Sequence, residues 1–220
     1  MNSTVMRSHP VPRGTAGWRA FHKPAVSVFG AALFAVTGCG ADGDGAAPNP
    51  AAAPTNVRWQ DFQGVALPSA DQGPRSFEGG AATDFDHSPP GAAVAAITHT
   101  VRLSVAADNQ WARVVAEEVV PGPARDEWSV NRLQLSITGP AAAEYTPRLL
   151  GYKITDYTEQ RTAVDIYTEY SDGSKAVNHT TVEWFQKDWR LRLPDPNSTT
   201  RPVEAIDVLP DDIVTLEAPK

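Results

Sequence analysis

Between residues 150 and 193 the side chains alternate with a period of two in successive runs, which commits the second half of the chain to β-strands with two unlike faces. Leu150, Tyr152 and Ile154 form one run, and Val164, Ile166, Thr168 and Tyr170 the next. In the third, Ala176, Asn178, Thr180, Val182 and Trp184 oppose Val177, His179, Thr181 and Phe185. Ser171-Asp172-Gly173-Ser174 separates two of these runs with a hairpin signal, because Asp-Gly accepts the positive φ angles of a two-residue turn. Gln186-Lys187-Asp188 separates Trp184-Phe185 from Trp189-Arg190-Leu191-Arg192-Leu193 as a second hairpin. Three or four antiparallel strands in succession make a curved meander.

Ahead of the meander the period is helical. Ser88 supplies an N-cap and Pro89 a first-turn proline, after which Val94, Ile97, Val101 and Val105 recur at spacings of three and four. A helix is predicted over 89–107, with an alanine face (Ala92, Ala93, Ala95, Ala96) that permits close approach to a sheet. Asp108 is expected to cap a second short helix carrying Trp111, Val114, Val115 and Val119, ended by Pro121-Gly122-Pro123. Residues 126–138 fit both periods. Residues 57–88 are punctuated by Gly and Pro and fit neither, yet Trp59, Phe62, Leu67, Phe77 and Phe85 make them a lead-in arm draped over the core. Val203, Ile206, Val208, Leu209, Ile213 and Val214 suggest a last docked segment. Helices followed by an antiparallel sheet give an α+β domain over 57–220.

The front of the chain has another composition. Residues 1–23 are polar with no acid, 24–36 are an apolar run, and Val36-Thr37-Gly38-Cys39 follows. That order is a signal peptide over 1–38. Thirteen apolar residues reach about 20 Å as a helix, short of a bilayer core of about 30 Å. Val36 to Cys39 resembles a lipobox, and the single cysteine of the chain falls there, so Cys39 is expected to carry a diacylglyceryl (and palmitate) anchor. Residues 39–56, almost all Gly, Ala, Pro, Asp and Asn, read as a flexible tether. The expected location is the extracytoplasmic face of the cell membrane, lipid-anchored.

Beyond residue 38 the chain holds 15 basic against 26 acidic residues, a balance that argues against nucleic acid as a partner and biases encounter toward basic surfaces. One cysteine excludes an internal disulfide and a multi-cysteine metal site. The residues Trp59, Leu67-Pro68-Ser69, Gly73-Pro74, Phe85, His87-Ser88-Pro89-Pro90-Gly91-Ala92, Ala95-Ala96 and Asp188-Trp189-Arg190 resemble a domain of unknown function in actinobacterial lipoproteins, often encoded in integrative conjugative elements. The later half resembles NTF2-like (cystatin-like) domains, which include envelope components of conjugation-type secretion machinery. That resemblance implies a cone, with N-terminal helices packed on a curved sheet.

Three histidines follow Cys39. His179 has Glu183 on the same strand face and is the best local acid/base arrangement, His99 reads as a helix-surface residue, and His87 with Asp84 and Asp86 reads as capping and solvation rather than a metal site. No nucleophile motif or phosphate loop is present, so no catalytic, cofactor or metal residue is assigned. Tyr152, Tyr167, His179 and Trp184 are the candidate pocket or interface residues on the meander, beside Tyr157, Tyr170 and Trp189. The expected function is a non-catalytic protein-binding or assembly module of the envelope. The alternatives are a small-molecule-binding lipoprotein or, with less support, an NTF2-like enzyme.

Overall fold

The computed structural model describes residues 47–216, 218 and 219, so the segment read as a signal peptide, and Cys39, lie outside the described residues. In chain order the elements are β1 (Arg58–Phe62), β2 (Val65–Ser69), α1 (Pro89–Val105), α2 (Trp111–Glu118), α3 (Pro123–Arg132), β3 (Arg148–Tyr157), β4 (Arg161–Glu169), β5 (Lys175–Phe185), β6 (Asp188–Arg192), β7 (Val203–Ile206) and β8 (Val214–Thr215). The fold is mixed α+β, with three α-helices among the described residues and a mostly antiparallel sheet that does not close. None of these helices is long and apolar enough to cross a membrane.

α1 starts where the capping signal places it. Ser88 Oγ accepts the N–H of Gly91 at 3.3 Å, and Pro89 and Pro90 fill the first turn. The helix is buried from Pro89 to His99, and its four alanines are fully enclosed. A helix apolar all round has no solvent face to present. One side of α1 meets Tyr152, Val164, Ile166, Val182 and Trp189 of the sheet, and Leu67 and Phe85 of the lead-in arm belong to the same core. A second cluster joins Leu103 of α1 to Val114 and Val115 of α2, to Val119 just after it and to Leu191 of β6.

The meander runs β3-β4-β5-β6 with the expected turns. Asp172-Gly173 closes β4 to β5, with Gly173 at φ 82°, and Gln186 and Lys187 (φ 52° and 67°) close β5 to β6. The tail then returns twice. β7 pairs with Lys175–Asn178 of β5, and β8 pairs with Gly151 and Tyr152 of β3. β6 and β7 thus follow one another along the same edge of β5, Arg192 opposite Thr181 and Val203 opposite Asn178. Ten residues, 193–202, fill a step that an uninterrupted strand would make in two, so this connection must bulge away from the edge.

Several expectations change. The lead-in arm holds a hairpin, β1 with β2, turned at Gln63-Gly64 with both φ positive. Pro68 hides this strand from a periodicity reading, yet a two-stranded sheet tolerates proline because it has free edges. Asp108 does not cap α2. Its carboxylate accepts the Ile137 N–H, the Ser136 hydroxyl and the Arg132 guanidinium at 2.8–3.0 Å, tying the chain after α3 back to α1. The ambiguous stretch 126–138 is helical to Arg132 and irregular beyond. Residues 49–56, placed in the tether, pack on the domain. Pro54 is buried, Asn56 and Thr55 bond to Asp71, and Tyr152 donates its hydroxyl to the Ala52 carbonyl at 3.2 Å.

The Asp188-Trp189 pair finds its role in the lead-in arm. The Asp188 carboxylate accepts the N–H groups of Asp84 and Phe85, and the Trp189 indole donates to the Asp86 carbonyl. The Asp86 carbonyl also limits Gly91, since a Cβ there would lie 2.1 Å from it. Gly91→Ala is expected to cost about 2–3 kcal/mol by forcing that backbone apart, lowering the melting temperature by about 5–10 °C. Gly139→Ala, with open space around it, is expected to leave the transition where it is.

Candidate functional site

The sheet has two unlike faces. Val182 and Trp184 of β5 turn toward α1, whereas His179, Thr181 and Glu183 turn outward. Part of the outer face is covered by the tail, where Ile206, Leu209 and Ile213 pack on Leu150, Tyr167 and Val177. Beside that cover lies a cleft of about 670 Å³. Its floor is Thr155 of β3, Ala163 and Asp165 of β4, and His179 and Thr181 of β5, and its walls are Val120–Arg125 at the start of α3 and the bulged connection 193–202.

Strand register arranges the polar side chains in rows. Arg161 of β4 stands opposite Glu183 of β5, with Arg192 of β6 beside them, and Glu183 accepts from both guanidiniums, Arg161 Nε at 2.8 Å and Arg192 Nη2 at 2.6 Å. Asp165 stands opposite His179 and meets its Nδ1 at 2.7 Å, while Glu204 of β7 lies 3.9 Å from Nε2. Burial pulls the Glu183 carboxyl upward, but the hydrogen bonds and charges of Arg192 and Arg161 outweigh it and hold the group below its ordinary value.

His179 therefore has a carboxylate partner, but not Glu183. Counting back from the Asp172-Gly173 turn, with Glu169 opposite Lys175, puts Asp165 opposite His179, a signal present in the sequence but overlooked when only one strand is read. The other meander candidates do not join this cleft. Tyr152 is fully buried in the main core, where burial raises its phenol above the ordinary range. Tyr167 packs under the tail. Trp184 stacks on His87 with ring centroids 3.9 Å apart, and His87 also meets the Glu159 carbonyl. Asp84 and Asp86 face Arg75, away from any shared ligand geometry with His87. Among the described residues no three His, Cys, Asp or Glu side chains converge as metal ligands.

His99 is the largest correction. It is not on a helix surface but 1% exposed, with Nδ1 2.9 Å from Glu118 Oε2 and Nε2 2.9 Å from the Trp189 carbonyl. Glu118 Oε1 accepts from Arg102 Nε and from the Ala82 N–H, both at 2.8 Å, and Arg102 also donates to the Gly80 carbonyl. Nε2 must donate to the carbonyl, so one further proton lies between Nδ1 and Oε2. A helical-wheel reading missed this because α1 has no outward side here. A cavity of about 130 Å³ under the β1–β2 hairpin touches Arg102 but not His99. Every polar atom of the pair is engaged, and the arrangement joins α1, α2, β6 and the lead-in arm rather than facing a substrate space.

Residues 24–210 match the family described as Domain of unknown function (DUF8175). No curated protein and no solved structure matches the chain.

Two outcomes are expected from these charges. Glu118→Ala strands the buried Arg102 guanidinium and removes the partner of His99 Nδ1 and the Ala82 N–H, and is expected to cost about 3–5 kcal/mol in denaturant unfolding. Glu183 has a depressed folded value, so its contribution is complete above the unfolded value of about 4.3 and is lost as pH falls through the folded one. Glu183→Gln is therefore expected to be less stable than wild type at pH 7, with the gap closing as pH drops below about 4.

Proposed function

Since the chain belongs to the DUF8175 family, whose function is unknown, we propose from its own residues that it is a membrane-anchored extracytoplasmic lipoprotein whose domain binds other proteins without catalysis, in an envelope assembly of the conjugation or secretion type. The observation that carries this reading is the filled interior. Between α1 and the sheet, where an NTF2-like cone would hold a ligand, Tyr152, Ile97, Trp189 and His99 are packed to near-zero exposure. The buried histidine and carboxylate, the pair an enzyme would need, spend their polar atoms on the fold, and acid/base catalysis needs such groups within reach of a substrate. Helices followed by a meander, with α1 laid across the sheet, support the NTF2-like assignment.

The anchor is proposed at Cys39. Ala52 is bound to the core strand β3 through Tyr152, and the thirteen residue steps from Cys39 to Ala52 span at most about 45 Å when fully extended. The domain would work within that distance of the membrane, where tethering raises the local concentration of a membrane-proximal partner.

Detergent partitioning and in-cell crosslinking test this together. The wild type is expected in the detergent phase and Cys39→Ala in the aqueous phase, and crosslinking is expected to capture a defined protein that the Cys39→Ala form loses. Identical partitioning of the two forms would remove the anchor. Capture of no protein, with a small molecule retained through purification, would replace this reading with a ligand-carrying lipoprotein.

A further inference from the structure

We propose that the open part of the β3 edge, Lys153–Tyr157, takes a basic, extended segment of a partner protein as an added strand. This rests on the protein-binding reading and names where the partner docks and what it carries. One side of β3 is paired with β4 along the strand. On the other side the tail covers only the first part. Thr215 and Val214 stand opposite Gly151 and Tyr152, and the N–H groups of Leu216 and Ala218 donate to the Leu150 and Leu149 carbonyls. Exposure follows the cover: Leu149–Tyr152 are buried, Lys153 and Ile154 are half-buried, and Thr155 and Asp156 are exposed. Among the described residues no backbone group pairs with the outer side of Lys153–Tyr157. Alternate residues of such an edge turn both N–H and C=O outward, and these are the groups an added strand bonds. The open part is about 17 Å long at about 3.3 Å per residue, enough for a strand of ordinary length. A cleft of about 470 Å³ lies against it, lined by residues 154–159 and by Pro48 and Pro50. Proline has no N–H, so those two residues cannot donate to the edge carbonyls.

Charge selects the occupant. Asp156 and Glu159 line the cleft and no base does, and neither carboxylate has a hydrogen bond or ion pair among the described residues. The bases nearest in sequence are spent elsewhere, Lys153 on Asp212 at 2.7 Å and Arg161 on Glu183 at 2.8 Å. His87 reaches the Glu159 carbonyl rather than its carboxylate. The Glu159 charge is felt locally, since burial first and then this carboxylate raise the Tyr157 phenol above its ordinary value. The whole chain carries a net charge of −7, so the long-range and local fields have the same sign and both favour a basic partner. The same acids oppose a second copy, because pairing two β3 edges brings Asp156 and Glu159 of each close to their like. The register shift between Ile154 and Asp156 keeps any added ladder short, so side-chain charge rather than backbone length decides which segment binds.

The test uses the full-length protein in non-ionic detergent and labelled hexapeptides followed by fluorescence anisotropy. A hexapeptide alternating lysine and valine is expected to bind, more weakly as salt rises from about 50 to about 200 mM. One alternating lysine and proline has the same charge but lacks every second N–H, and is expected to bind about tenfold more weakly or not at all. Hydrogen exchange locates the site: the outward amides of residues 153–157 are expected to exchange freely without peptide and about tenfold more slowly with the lysine–valine peptide. The double variant Asp156→Lys, Glu159→Lys changes two exposed side chains and is expected to keep the wild-type melting temperature while losing about tenfold or more in affinity. Equal binding of the two lysine peptides, equal binding of a glutamate–valine peptide, unchanged affinity in the variant, or protection that appears only at other amides overturns the proposal. Protection of the outward amides without peptide also overturns it, in favour of a second copy if it grows with protein concentration and of this chain's own residues if it does not. No binding of the lysine–valine peptide, while crosslinking still captures a protein, removes the edge and leaves the protein-binding reading standing. Binding at the edge with no captured protein instead overturns the assignment to a protein partner.

Discussion

One carboxylate ties four parts of the chain together at a single point. Glu118, at the end of α2, accepts from Arg102 and His99 of α1 and from Ala82 of the lead-in arm, and His99 reaches on to the backbone of β6. A buried ionic cluster is weak evidence of net stability, because removing these groups from water costs several kcal/mol per ion. Its effect is on uniqueness. The residues around it are mostly alanine and valine, which pack in more than one register, whereas a three-way hydrogen-bonded carboxylate has one satisfactory geometry.

How much of this is legible in the sequence depends on whether the signal is local. Ser88-Pro89 and Asp172-Gly173 act within a few residues of themselves, and the helix start and the hairpin lie where they indicate. Periodicity places the four strands of the meander because each has one buried face. It fails for His99, since a helix enclosed on every side has no polar stripe to mark exposure. It fails also for β1 and β2, whose pairing is exposed by a turn at Gln63-Gly64 rather than by alternation.

Residues 49–56 and Asp108 show the same limit from the side of composition. A stretch of Ala, Pro, Thr and Asn resembles a linker, and it is held in place by Tyr152, 100 residues further along the chain, and by Asp71 and Gln72, 15 to 17 residues further along. Asp108 stands where a cap is wanted and finds stronger donors at Arg132, Ser136 and Ile137. In the cleft, His179 and Glu183 are recognisable as a polar pair on one strand. Their true partners stand on neighbouring strands, and only the register, propagated from the turn, assigns them.

The split of one sheet edge between β6 and β7 separates two properties that are usually linked. Register along β5 is set on either side of the interruption, by Thr181 with Arg192 and by Asn178 with Val203. The connection between them adds to the ladder at its far end, where the Pro202 carbonyl accepts the His179 N–H at 2.9 Å. Lengthening a flexible loop costs slowly, about 0.6 kcal/mol per doubling, so residues 193–201 can change in length and chemistry while the strands beneath stay paired. A wall built in this way can change in length or chemistry without refolding the strands beneath it.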